Sequence, residues 1–251
     1  MSATAPIVDD ATTPAQVAEE LLRELRCHAD SANVAGMARF AISAEGTLGV
    51  SMPVVRSLAR EGKKRVGRDR AARHELAALL WASGVHEARI MASLVDEPSL
   101  VDDAQTEAWA AALDSWDVCD QLCLNLLRRT PLAWVKAAEW TARPEEFVKR
   151  AGFALGATLA VHEKSAPDDD FLTLLACAER EAADERNMVK KAVNWQMRQI
   201  GKRTATLNAA VIATCERLLE QHADSKAARW IARDALRELR SDAVRARLGI
   251  G

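Results

Sequence analysis

The chain of 251 residues contains no tyrosine, and aromatic residues make up only 4% of it. It lacks the period-two alternation of β-branched residues that half-buried strands require, which excludes a sheet-based core. No CxxC pair occurs, so zinc ribbons and thioredoxin-type redox sites are excluded. The five cysteines, Cys27, Cys119, Cys123, Cys177 and Cys215, mostly stand among apolar residues as small core side chains do. Cys119 and Cys123 share a helix face, but no histidine or third cysteine stands at a ligand spacing, and no metal is expected. No apolar run approaches the roughly 20 residues that span a bilayer, so no membrane partner is expected. The stretch MSATAPIVDDATT lacks the basic-then-apolar order of a secretion signal. A reduced, cytoplasmic protein is expected, with residues 1–13 as a mobile tail and 14–251 as a single repeat domain. A net charge of −2 gives no global pull toward nucleic acid or membrane.

What the chain does have is helix. Ala, Leu, Arg and Glu are abundant, with 11 Gly and 7 Pro. Thr13 before Pro14 predicts an N-cap and a first-turn proline, followed by Val17, Leu21, Leu22 and Leu25 on one face. Ser51 before Met52 and Pro53 opens another helix in the same way. Five later stretches share a look: HEARIMASLV, WDVCDQLCLNLL, EFVKRAGFALGATLA, NMVKKAVNWQMRQI and KAARWIARDALREL. They read as the second members of loosely repeated helical hairpins. The expected fold is all-α, a curved α-solenoid whose second helices line a concave face, where an extended ligand would lie.

Basic residues are concentrated locally. Between Arg60 and Arg73 seven of them face only Glu61 and Asp69. The C-terminal part adds Lys190, Lys191, Arg198, Lys202, Arg203, Arg229, Arg233 and Arg237. By composition alone, solvated helix faces balanced by neighbouring acids are the simpler account of such clusters. In DSWDVCDQ, Trp116 and Asp120 are four positions apart, so a carboxylate and an indole project from one helix face. Arg150 in FVKRAGF and Trp195 in VNWQMRQ bring further unusual groups to the second helices. Taken singly, each has a structural explanation: an acid paired with a neighbouring base or set at a helix N-terminus, core indoles, a surface arginine.

The order and spacing of MARF, LGVSMPVVR, SWDVCDQ, EEFVKRAGFAL, DERNMVKKAVNWQMRQIGKR and AARWIARDALREL go further. From about Ala35 to the C-terminus the chain resembles the DNA alkylation repair enzymes, HEAT-like repeat alkylpurine DNA glycosylases. The resemblance implies a catalytic aspartate at Asp120, its flanking tryptophan at Trp116, a second cleft tryptophan at Trp195 and a backbone-holding arginine at Arg150. It implies a duplex DNA partner carrying alkylated bases, met at the nucleoid, with Lys190, Lys191, Arg198, Lys202 and Arg203 as phosphate contacts. No cofactor is implied, and a monomer is expected because DNA would fill the concave face. Two departures stand out. Phe40 in MARF takes a position that is tyrosine in some members and so lacks its hydroxyl. Met188 stands where related sequences often have an aromatic residue. Both keep an apolar lining for the lesion cleft.

The implied chemistry suits these groups. An N3- or N7-alkylated purine is cationic, and its deoxyribose becomes oxocarbenium-like as the base departs. A carboxylate about 4 Å from unit positive charge is worth roughly 4 kcal/mol at an effective dielectric near 20, about a thousandfold in rate. Two indole faces add roughly 0.5 to 2 kcal/mol each by cation-π attraction. The result would be a monofunctional hydrolase that leaves an abasic site. Two alternatives keep the fold: a solenoid that binds unusual DNA structures without catalysis, and a protein-protein scaffold.

Overall fold

A computed structural model of the chain describes residues 13–250, so the expected mobile tail, Thr13 excepted, lies outside the described residues. Among these there are fourteen α-helices, two 3-10 turns and no strand, the all-α class that the composition predicts. The chain divides into two compact units, one ending at Leu100 and the other starting at Val101. Among the described residues no helix is long and apolar enough to cross a membrane.

The first unit contains α1 (Pro14–Cys27), α2 (Ser31–Ala38), α3 (Met52–Arg65), α4 (Arg70–Ala82) and α5 (His86–Val95). Thr13 forms the expected cap. Its Oγ1 accepts the Gln16 N–H while the Gln16 side chain accepts the Thr13 N–H, a reciprocal capping box. Val17, Leu21 and Leu25 are fully buried, with α1 packed on α3 and α4. Ser51 stands at the N-cap of α3 as expected, without a side-chain cap bond. The segment between α2 and α3 is held by Glu87 of α5, a carboxylate only 1% exposed. It accepts the backbone N–H groups of Leu48, Gly49 and Val50, a nest of donors that offsets the cost of burying the charge. Gly49 has φ +77, and a Cβ there would lie 2.2 Å from the Asp30 carbonyl oxygen. Only glycine fits that turn.

The second unit contains α6 (Asp103–Ala111), α7 (Trp116–Asn125), α8 (Ala133–Glu139), α9 (Glu146–His162), α10 (Asp168–Glu181), α11 (Asn187–Gly201), α12 (Ala205–Gln221), α13 (Lys226–Leu239) and α14 (Asp242–Leu248). The stretches that looked alike in sequence are α7, α9, α11 and α13, which pack in succession as one row, with α8, α10 and α12 forming the row behind. This is the repeat stacking expected of helical hairpins. At its middle, α9 is buried from Val148 to Ala160 between α7 and α11. Small residues allow that closeness. The thiols of Cys119 and Cys123 donate to the carbonyls of Phe147 and Ala151, at 3.7 and 3.5 Å. A Cβ on Gly156 would meet the Gln196 side chain at 2.1 Å, so glycine sets the spacing of α9 and α11.

A polar hub ties α6 to α8 and to the turn that follows it. Glu107 of α6 accepts from Lys136 Nζ at 2.7 Å, the Trp140 indole at 2.8 Å and Arg143 at 3.0 Å. Burial pushes the Glu107 carboxyl up, but its three donors outweigh that and bring it to about 2. A depressed acid contributes stability that is complete above its unfolded value near 4.5 and lost as pH falls toward 2. Glu107→Gln is therefore expected to lower the neutral-pH Tm and to flatten the loss of stability between those two values, read by thermal melts across the acid range.

Candidate nucleic-acid interface

The first three helices of the front row, α7, α9 and α11, carry the polar cluster. On α7, Val118, Cys119, Leu122 and Cys123 are buried, which turns Trp116 and Asp120 together toward the half-buried side. Ser115 precedes the helix and its hydroxyl donates to Asp117 in the first turn. On α11, Val189, Ala192, Val193, Gln196, Met197 and Ile200 form the buried face. Met188, Lys191, Trp195, Arg198 and Lys202, at alternating spacings of three and four, form a less buried stripe. Sequence spacing had predicted the shared face of Trp116 and Asp120.

Between them lies Arg150, which is buried and so is not the surface arginine of its structural explanation. It is 6% exposed, and its guanidinium meets Asp120 as a fork, Nε to Oδ1 at 3.0 Å and Nη2 to Oδ2 at 2.8 Å. Its Nη1 donates to the Met188 carbonyl at 2.7 Å, and its carbon centre lies 5.8 Å from the Trp116 ring centroid. One arginine thus connects α7, α9 and α11. Both charges are held by two-point geometry that arginine can satisfy and lysine cannot. The acid is therefore one half of a pair, with a neighbouring base as its structural explanation had it.

The pair sets the protonation of its members. Burial pushes the Asp120 carboxyl above the usual aspartate value, Arg150 pulls it back by charge and hydrogen bonds, and Asp117 adds to the upward push. Burial works against Arg150 too, but the charge and hydrogen bonds of Asp120 more than offset it and raise its pKa. Asp120 keeps 19% of its side-chain surface exposed, and each oxygen retains a lone pair beyond its bond to Arg150. The site can therefore present a negative edge to an incoming cation, with an indole beside it.

The expected phosphate contacts separate into two kinds. Lys191 is exposed. Arg198 and Lys202 share Glu238 of α13 as an ion-pair partner, and Arg198 also reaches Asp234. Arg203 is committed to structure: its guanidinium donates to the carbonyls of Ala160, Glu163 and Ala166 and stacks 3.8 Å from the Phe171 centroid. No local pattern marks these acids and carbonyls as partners, because they are about 40 residues away along the chain. Lys190 lies 5.9 Å from the ring of Trp230, an indole that the sequence reading passed over although it stands among arginines on α13. Phe40 belongs to the first unit, just past α2, and is 68% exposed. It precedes Ala41, whose φ of +61 costs a non-glycine residue roughly 1–2 kcal/mol. Its part in a lesion cleft rests on the resemblance alone.

An all-helical chain of stacked hairpins, with an acid, an arginine and indoles on adjacent second helices, is a HEAT-like repeat protein with a polar front row. The model of the DNA alkylation repair enzymes matches residues 21–239, and the chain belongs to that DNA-binding family. Among solved structures it is similar to one described as a new family related to the HEAT-like repeat DNA glycosylases, with affinity for branched DNA structures. The two share 15% identity over 79% of this chain and 81% of that one, with a TM-score of 0.66, a likeness of fold. No curated protein sequence matches this chain significantly.

Proposed function

We propose that this protein is a monofunctional DNA glycosylase that releases cationic N3- or N7-alkylated purines from duplex DNA. The observation that carries the reading is the Asp120 carboxylate, nearly buried, fixed by Arg150 at two points and flanked by Trp116. As the C1′–N bond breaks, its electron pair leaves with the base, which departs as a neutral alkylpurine. Positive charge remains on the sugar. Asp120 stabilises that charge, water forms the new bond to C1′, and the proton passes to the carboxylate or to solvent. Burial makes Asp120 a somewhat stronger base than an exposed aspartate. Arg150 partly cancels its field, so the stabilisation is smaller than an isolated carboxylate would give, while the fixed geometry costs no reorganisation. Trp116 and Trp195 favour a cationic lesion over a neutral base. Exposed Lys191 suits a phosphate contact, as a monomer lies along the duplex.

A second reading is favoured by one observation. The acid is already neutralised by Arg150, as befits a cleft that binds DNA without cutting a bond, and the similar structure is described by its affinity for branched DNA. The test is base release from methylated duplex DNA by the purified protein. Release of N7-methylguanine or N3-methyladenine is expected, slowed about five- to thirtyfold by Trp195→Ala, the worth of about 1–2 kcal/mol of cation-π attraction. Trp134→Ala serves as the control, since Trp134 packs its ring against Phe171 at 5.2 Å. Tight binding of branched DNA with no base released would select the second reading. An equal effect of both tryptophan changes would return Trp195 to a packing role.

A further inference from the structure

Helix α13 divides into two faces. Ala227, Ala228, Ile231, Ala232, Ala235 and Leu239 are buried, while Lys226, Arg229, Trp230, Arg233, Asp234 and Arg237 line an open groove of about 450 Å³. Lys226, Trp230, Arg233 and Arg237 follow one another at spacings of four, three and four, a single solvent-facing stripe. The cations on this stripe differ from those of α11. Arg198 and Lys202 are tied to Glu238, whereas among the described residues Lys226, Arg229 and Arg233 make no ion pair, and Arg229 Nε has no hydrogen-bond partner. Asp234 balances Arg237 and reaches Arg198, so the stripe keeps a surplus of positive charge. In its middle Trp230 leaves 41% of its surface exposed, with the Lys190 ammonium 5.9 Å from its ring centroid. An indole exposed to this degree gains nothing from folding for its open face, and the cations beside it select an anion that also carries a flat apolar surface.

We propose that this groove is a platform for an unpaired nucleotide: Trp230 stacks a base, and Lys190, Lys226, Arg229 and Arg233 hold the flanking phosphates. Paired bases within a duplex present their faces only to one another, so the indole adds nothing to plain duplex binding. It engages where a strand is frayed, gapped or branched. The platform lies on the helix next to α11 in the front row, so DNA lying along α11 would have a single-stranded segment within its reach. This inference rests on the reading of the protein as DNA-binding, but not on base release.

The test is binding of an oligothymidylate and of an abasic phosphodiester oligomer of equal length, measured by anisotropy at several salt concentrations, with polyglutamate as a third polyanion. Wild type is expected to prefer oligothymidylate. Trp230→Ala is expected to weaken that affinity about 5- to 150-fold, the equivalent of the roughly 1–3 kcal/mol found for base stacking on aromatic residues. It should leave abasic-oligomer binding nearly unchanged, and Trp230→Phe should keep most of the preference. Arg233→Gln should weaken both oligomers and reduce the salt slope by about one. Because Trp230 is exposed, both tryptophan variants should melt with wild type. Equal binding of oligothymidylate and abasic oligomer, or a Trp230 dependence just as large with polyglutamate, would overturn the platform. Base release from methylated duplex is scored separately. If Trp230→Ala changes nothing while Asp120→Asn stops release, the platform alone falls; if no base is released but the Trp230 preference holds, the glycosylase reading alone falls.

Discussion

Asp120→Asn is expected to slow base release from methylated duplex DNA by at least about a hundredfold, some 2.7 kcal/mol of transition-state stabilisation. A lone carboxylate at contact distance would contribute roughly 4 kcal/mol. The lower figure follows from Arg150, whose charge lies 2.8 Å from the carboxylate oxygen and opposes part of its field. Asparagine keeps the shape and one acceptor but removes the charge and turns an N–H toward the guanidinium, so the variant is also destabilised, and release is compared at a temperature where thermal melts show both proteins folded. Duplex affinity is expected to be equal or higher, since Arg150 is no longer countered. Quantifying released bases beside a binding isotherm separates the two effects. A variant that binds and still releases base at the wild-type rate would remove Asp120 from the chemistry.

The second large effect is on stability. Arg150→Ala leaves the carboxylate of Asp120 buried with burial and Asp117 both acting against its charge. Removing one partner of a buried pair typically costs about 3–5 kcal/mol, and that loss is expected in denaturant titrations. The pH dependence gives the cause. Without Arg150 the folded pKa of Asp120 rises further above its unfolded value near 3.9. A raised acid contributes stability that is complete below the unfolded value and lost as pH rises through the folded one. The gap between variant and wild type should therefore be smallest below about pH 4 and widen toward neutrality. Acid-side losses from Glu107 and Asp184, both held near 2 in the folded protein, are common to the two proteins and cancel in the difference. The double change Asp120→Leu with Arg150→Met should recover most of the stability while remaining inactive. If Arg150→Ala shows a gap independent of pH, lost packing rather than an orphaned charge is responsible.

Much of the helical framework was legible from local signals. Thr13 and Pro14 marked the first helix by N-cap and first-turn preferences that act within one turn. The second helices from HEARIMASLV to KAARWIARDALREL announced themselves by apolar periodicity and emerge as α5, α7, α9, α11 and α13. The shared face of Trp116 and Asp120 followed from helix geometry alone. The partners of these residues did not. Arg150 lies 30 residues from Asp120, and its side chain could equally have pointed to solvent until the packing of α9 between α7 and α11 was known. The same holds for Glu87, which reads in sequence as an ordinary first-turn acid and proves to organise the backbone from Leu48 to Val50. Long-range pairing carries no periodicity. The stripe on α13 was legible in principle, since its arginines and Trp230 recur at helical spacing within one short segment.

The bond from Arg150 to Met188 has a consequence for how the sequence can change over generations. The arginine grips the carbonyl of residue 188 rather than its side chain, and every amino acid supplies that carbonyl in the same place. Selection can therefore exchange the side chain at this position, aromatic for thioether or the reverse, without loosening the acid two helices away. The framework that holds the charge and the side chain at position 188 can change separately, which leaves the latter free to diversify among descendants while the former stays in place.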